Sequence, residues 1–199
     1  AAGRTIINYS GHGATTFWDS PEVTQDDVRA LSDPDAMPFV ISNACITADY
    51  RVAESFAETW QRHPFGAIAF WGSMDSSYWD EDDILERRMY DGIYGNGKLQ
   101  FFALTSHALA EVWKHYNGAG LSKFYWETYH VFGDPSISLR TTHVQKASII
   151  PNQPITIGAS DAVYSLKTEE GNALIGVRAA LLDAGQNNPN HLLRRRRTG

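Results

Sequence analysis

Thr5-Ile6-Ile7-Asn8-Tyr9-Ser10-Gly11-His12-Gly13 and Pro38-Phe39-Val40-Ile41-Ser42-Asn43-Ala44-Cys45 decide the fold. In each stretch a short apolar run of the kind that forms a buried strand ends in a polar turn carrying a reactive side chain. Two parallel strands of one sheet, joined by a crossover containing a helix, place His12 and Cys45 at the same carboxyl edge, where open α/β sheets build their sites. The pattern therefore predicts a cysteine–histidine pair. A thiol needs a base or a cationic neighbour to ionise at neutral pH, and imidazole supplies either. The glycines flanking His12 permit tight turns and leave the Gly13 amide bare, so that it can face a developing oxyanion. The competing reading is structural: a lone cysteine after a strand is commonly a small buried hydrophobe, and a histidine between glycines a turn residue.

The 199 residues are 43% hydrophobic and 20% charged, ordinary for a globular protein and enough for one sizeable core with a small second module. A net charge of -6 gives no electrostatic reason to expect a nucleic-acid partner. No apolar stretch approaches the length of a membrane span. The single cysteine excludes an intrachain disulfide. Ala1-Ala2-Gly3 runs almost directly into a strand, so the chain reads as a segment of a longer protein.

Strands alternate with helical stretches to about residue 140, which predicts an α/β layer with a mainly parallel sheet. Thr24-Gln25-Asp26-Asp27 opens the first helix with a capping hydroxyl and carboxylates suited to the positive helix end. Val52, Phe56 and Trp60 recur every fourth residue and predict an amphipathic helix starting shortly after Cys45, closed by Pro64 and Gly66. Ala67 to Trp71 reads as a third strand, buried on both faces. Helical patterns follow over 82–90 and 99–116, the second stopped by Asn117-Gly118. The aromatic group Phe124, Tyr125, Trp126 and Tyr129 reads as helical core packing, and His107, His115 and His130 as helical residues without metal-ligand spacing.

After Arg140 the texture changes to short strand-like runs at 147–150, 155–157, 162–166 and 173–177, separated by Pro, Gly and Asn. These runs read as the opening strands of a β-sandwich, too few to complete one. The predicted organisation is an α/β unit over 1–142, a partial β module over 143–185 and a polar tail over 186–199 whose Arg194 to Arg197 are solvated.

The blocks Asn8-Tyr9-Ser10-Gly11-His12-Gly13, Ser42-Asn43-Ala44-Cys45-Ile46-Thr47-Ala48, Gly66 to Ser73 with Ser77-Tyr78-Trp79-Asp80-Glu81-Asp82, and Phe124 to Ser136 stand in the order of the gingipain-like cysteine peptidases, a bacterial family with a caspase-like fold, which this chain resembles. The resemblance implies a caspase-like, mainly parallel sheet flanked by helices, with its N-terminal part upstream of this chain, followed by a partial immunoglobulin-like β-sandwich. It implies a secreted or cell-surface bacterial endopeptidase that cleaves proteins after a basic residue. His12 matches the general base, Cys45 the nucleophile that forms a thioester, and the amides of Gly13 and Cys45 the oxyanion hole. The acid that orients the histidine lies upstream of the histidine strand in this family. No cofactor is implied for catalysis.

Tyr78-Trp79-Asp80-Glu81-Asp82 aligns with the Tyr-Trp-Gly-Glu-Asp of lysine-specific members, so the resemblance makes Asp82 the carboxylate of the pocket for the residue before the scissile bond and Trp79 its wall. Asp80 stands where those members have Gly. The alternative for Asp75, Asp80, Glu81, Asp82 and Asp83 is an acidic helix start favoured by the macrodipole, and their density also fits a calcium ion without EF-hand alternation. The family uses structural calcium, and Glu58 falls on a position associated with such a site. Two rival functions share these residues: a sortase-like transpeptidase that attaches secreted proteins to the cell surface with an amine in place of water, and a non-catalytic adhesion module on a degenerate peptidase scaffold.

Overall fold

The computed structural model describes residues 5–33, 37–139, 147–152, 163–168 and 170–173. Strand β1 (Ile6–Ser10) leads into an antiparallel ribbon of β2 (Gly13–Ala14), β3 (Phe17–Asp19) and β4 (Glu22–Thr24), then helix α1 (Gln25–Arg29). After β5 (Phe39–Asn43) come α2 (Phe56–Arg62), β6 (Ala69–Ser73), α3 (Trp79–Tyr90), a π-helical turn at Asp91–Gly95, α4 (Phe101–His115), α5 (Ser122–Thr128) and β7 (Tyr129–Gly133). The main sheet has the order β1-β5-β6-β7, with β1, β5 and β6 parallel and β7 antiparallel to β6.

Strands β5 and β6 are buried along their whole length, which is why they read as continuous apolar runs rather than alternating ones. Successive side chains point to opposite faces. Phe39, Ile41, Ala69 and Trp71 pack with Leu85, Met89, Phe101, Leu104 and Tyr125 of α3, α4 and α5. Val40 and Phe70 pack on the other face with Trp18, Val28, Phe56 and Trp60. Helices therefore cover both faces of a mixed, mainly parallel sheet.

Three local expectations change. Helix α2 starts at Phe56 rather than soon after Cys45, because Ser55 caps it reciprocally with Glu58, and Val52 lies outside it. Strand β6 runs two residues later than the apolar pattern, since Ala67 N–H is taken by the Trp60 carbonyl at 2.8 Å in the turn closing α2. Tyr129 and His130 are on β7, not on a helix; pairing of Ser73 with Tyr129 and Gly72 with His130 outweighs the local helical pattern. Ser55→Ala is expected to lower stability by about 1 kcal/mol, measured by denaturant unfolding, because it removes the hydroxyl that caps α2.

Contacts divide the chain at Thr142 and His143. In the second unit β8 (Ala147–Pro151) pairs antiparallel with β9 (Tyr164–Thr168), and Lys167 bridges to Ala173. The described residues of this unit make a two-stranded ribbon with one further bridge, and they do not show the partial immunoglobulin-like module expected over 143–185. The expected strand at 155–157, the residues 174–177 and the tail from 186 lie outside the described residues.

Candidate active site

The register between β1 and β5 sets the site. Ser10 pairs with Asn43, and His12 and Cys45 each lie two residues beyond that pair at the carboxyl edge. Gly11 N–H donates to the Asn43 carbonyl at 3.1 Å, holding the two strand ends together. Gly13 then passes so close to the cysteine loop that a Cβ there would stand 2.7 Å from Thr47 Cγ2, 2.9 Å from Ala44 Cβ and 3.2 Å from the Cys45 carbonyl oxygen. Only glycine permits this approach, so the glycine after His12 is needed for contact between the loops as well as for the turn.

The backbone of His12 is fixed while its side chain is exposed. Its carbonyl accepts from Tyr9 Oη at 2.7 Å and from Asp19 N–H at 3.0 Å, and its ring meets Trp79 edge-on with centroids 6.0 Å apart. Because Asp19 bonds to His12, the next pair in the ribbon, Gly13 with Trp18, falls at a non-hydrogen-bonded position of the antiparallel ladder. That turns Gly13 N–H away from β3.

Cys45 is half-buried above a chain of polar contacts in the interior. Trp18 Nε1 donates to Ser42 Oγ at 2.9 Å, and Ser42 Oγ lies 2.9 Å from Thr47 Oγ1. Ile46 takes φ 50°, a left-handed conformation that is costly for a β-branched residue and bends the chain directly after the cysteine. The bend is held by Ile46 N–H on the Asp75 carbonyl at 3.0 Å and Ala48 N–H on the Ser73 carbonyl at 2.9 Å. Ser77 clasps the sulfur: its N–H lies 3.4 Å from Cys45 Sγ, and its carbonyl accepts from the thiol at 3.7 Å.

Ser77 also connects the cysteine to Asp82. Its hydroxyl donates to Asp82 Oδ2 at 2.7 Å, while Asp82 Oδ1 accepts from Tyr125 Oη at 3.0 Å and from Tyr129 Oη. Asp82 is 6% exposed, and burial raises its carboxyl above the ordinary range although the three hydroxyls oppose the shift. Burial, reinforced by the Asp82 charge, pushes the Tyr125 and Tyr129 hydroxyls up. Between the ordinary aspartate value of about 3.9 and its raised folded value, the folded chain keeps a proton that the unfolded chain has lost. Stability is therefore expected to fall as pH rises through that window and to stay lower above it. Urea unfolding of Asp82→Asn as a function of pH is expected to lack this fall.

Trp79 opens α3 and is 62% exposed, its ring beside His12. Glu58 serves α2: Oε2 accepts from Ser55 N–H at 2.8 Å and Ser55 Oγ at 3.0 Å, and Oε1 pairs with Arg62 at 3.0 Å. The acidic stretch disperses, with Asp82 turned inward and Asp83 paired to Arg87 at 2.9 Å. Among the described residues no three His, Cys, Asp or Glu side chains converge as a metal site.

The structure thus gathers His12, Gly13, Cys45 and Trp79 at one sheet edge, links Asp82 to it through Ser77, and leaves Glu58 on α2. Ser77, Tyr125 and Tyr129 were not singled out by the sequence as site residues. The Tyr-Trp-Glu-Thr-Tyr spacing placed the two tyrosines in the core correctly, but nothing local shows that their hydroxyls meet a carboxylate more than forty residues away.

Gingipain R1 of Porphyromonas gingivalis is 25% identical over 187 residues, covering 89% of this chain and 18% of its own length. Lys-gingipain of the same organism is 28% identical over 197 residues, covering 83% and 11%. The chain therefore spans less than a fifth of these two relatives. The crystal structure of the Arg-specific cysteine proteinase gingipain R superposes with a TM-score of 0.70 at 24% identity, covering 84% of this chain and 40% of that one, and so shares the fold. Among the described residues no helix is long and apolar enough to cross a membrane. The model of peptidase family C25 matches residues 1–140, and the chain belongs to that family of cysteine peptidases.

Proposed function

We propose that this chain carries the nucleophile and base of a cysteine endopeptidase that cleaves proteins after a basic residue. The observation that supports it most is the common register: His12 and Cys45 each two residues beyond the paired Ser10 and Asn43, with Gly13 packed against the cysteine loop. Cys45 Sγ, its proton passed to His12, attacks the scissile carbonyl carbon, and the carbonyl electron pair moves to oxygen. The amides of Gly13 and Cys45 stabilise that oxyanion, a role of several kcal/mol in acyl transfer generally. Collapse expels the amine, protonated by His12, and leaves a thioester on Cys45. His12 then deprotonates water, which attacks the thioester carbonyl; the C–S bond breaks, the new carboxylic acid leaves, and the thiolate is restored beside the protonated His12.

The preference for a basic side chain has its support in two negative side chains close to the edge, Asp82 beneath and Glu86 beside it on α3, and in the names of the Arg- and Lys-specific relatives. Trp79 is the pocket wall. The substrate is a protein or peptide, a secreted or surface location suits it, and a structural calcium ion would assist the fold without entering the chemistry.

The test is mass spectrometry of products from peptides with Arg, Lys, Leu or Ala before the scissile bond, with and without an added primary amine. Free acids formed after basic residues support the endopeptidase. Amide products that dominate when amine is present identify a transpeptidase, and no product from any peptide rejects both.

A further inference from the structure

Strand β7 lies two places along the sheet from β5, whose end carries Cys45, and there the turn leaving β6 brings two donor atoms face to face. His130 pairs with Gly72, and Met74 follows two residues after Gly72, just past the end of β6. Met74 N–H donates to the Thr128 carbonyl at 2.8 Å, and its own carbonyl accepts from Arg51 Nη2 at 3.2 Å, so its backbone is held from both sides. His130 Nε2 then stands 3.1 Å from Met74 Sδ.

The imidazole is set up as a ligand. Its ring hydrogen-bonds to the carbonyl of Glu127, three residues back on α5. With Nε2 turned to Met74, that bond keeps the proton on Nδ1 and leaves the Nε2 lone pair facing the thioether. A metal-binding histidine is oriented in this way, with its other N–H donated to a carbonyl. Burial pushes the His130 imidazole below its ordinary value, so the ring is neutral at pH 7. Tyr50 meets the ring edge-on with centroids 5.3 Å apart and limits its swing, and Tyr50 is itself 51% exposed, so the site is reached from solvent. In this tautomer neither nitrogen nor sulfur has a proton to offer the other. A cation bound by both turns their close approach into an attraction.

We propose that His130 Nε2 and Met74 Sδ bind a single Cu(I) ion. The donors select the metal. Thioether and imidazole suit Cu(I), whereas Ca2+ and Mg2+ take oxygen ligands. Zn2+ requires a tetrahedral set, and among the described residues no group of His, Cys, Asp and Glu supplies one. Closed-shell Cu(I) accepts a lower coordination number. Metal bonds of about 2.0 Å to nitrogen and about 2.3 Å to sulfur span the observed separation at roughly a right angle, and about 0.4 Å of opening reaches the tetrahedral angle. The histidines alone give no sign of the site, because the partner of His130 is a methionine 56 residues away. The site does not depend on the peptidase reading.

The test uses the Cys45→Ala chain, so that no thiol competes for copper, and adds Met74→Leu or His130→Gln to it. Each protein is titrated anaerobically with Cu(I) and ascorbate against bicinchoninate, whose Cu(I) complex is coloured. The Cys45→Ala chain is expected to withhold one equivalent of copper, and each added substitution to weaken binding by at least about tenfold, the smallest loss typical of disturbing a metal-binding histidine. X-ray absorption at the copper edge of the Cys45→Ala chain, which needs neither added substitution to fold, is expected to show both a sulfur and a nitrogen donor. Copper lost entirely to bicinchoninate, unchanged affinity in either added variant, or a copper edge without sulfur overturns the inference.

Discussion

Cys45→Ala is expected to abolish peptide hydrolysis, lowering kcat by roughly a million-fold, the order seen when the nucleophile of a catalytic unit is removed. The size follows from chemistry rather than from packing. No other thiol is present in the chain, and alanine cannot form the thioester through which the bond is broken. The substitution should leave folding nearly untouched: Cys45 is half-buried, and its sulfur contacts with Ser77 are long. Thermal unfolding within a few degrees of wild type, beside absent turnover, separates this result from collapse of the site. Residual hydrolysis within tenfold of wild type would mean that Cys45 is a structural thiol.

Gly13→Ala is the second large effect, and here geometry decides it. The added methyl must stand 2.7 Å from Thr47 Cγ2, 2.9 Å from Ala44 Cβ and 3.2 Å from the Cys45 carbonyl, and two of these neighbours are backbone or directly attached to it. The histidine and cysteine loops must therefore separate. Overpacking of this kind costs about 1–3 kcal/mol of stability. The loss in kcat should be larger, about 100- to 1,000-fold, because the Gly13 amide no longer faces the oxyanion. Steady-state kinetics with KM little changed and kcat reduced is the expected signature, since the donor acts mainly in the transition state. A parallel loss in Cys45 alkylation would show that the separation of the loops also draws His12 away from the thiol.

The parts of this arrangement visible in the sequence were those carried by short-range pattern. Continuous apolar runs ending at Ser10 and Asn43 are what parallel, doubly covered strands require, and from them follow the shared edge and the placement of His12 with Cys45. The capping boxes at Thr24 with Asp27 and Ser55 with Glu58 obey an equally local rule. The first marks a helix start in the sequence, whereas the second lies inside the every-fourth-residue apolar repeat from Val52, which extends the helical pattern past it. The ribbon β2-β3-β4 escaped because strands of two or three residues carry no periodicity to read.

What the sequence could not show is what depends on distant partners. Tyr129 and His130 look helical beside Tyr125, yet pairing with β6 makes them strand. Asp82 was legible as an acid in a motif, but its three hydroxyl partners come from Ser77, Tyr125 and Tyr129, brought together only when α3, α5 and β7 close over the same sheet end. Glu86 carried no motif at all. It meets Ser10 and Asn43, from β1 and β5, only once α3 packs on the sheet.

The most direct test of the central claim is the rate of Cys45 alkylation by iodoacetamide at pH 6, followed by mass spectrometry in wild type and in His12→Ala. A cysteine paired with an imidazole across the sheet edge reacts faster than free cysteine under the same conditions, and loss of the imidazole slows it. The account predicts both results. A Cys45 that reacts no faster than free cysteine, or at the same rate in the two proteins, would contradict it.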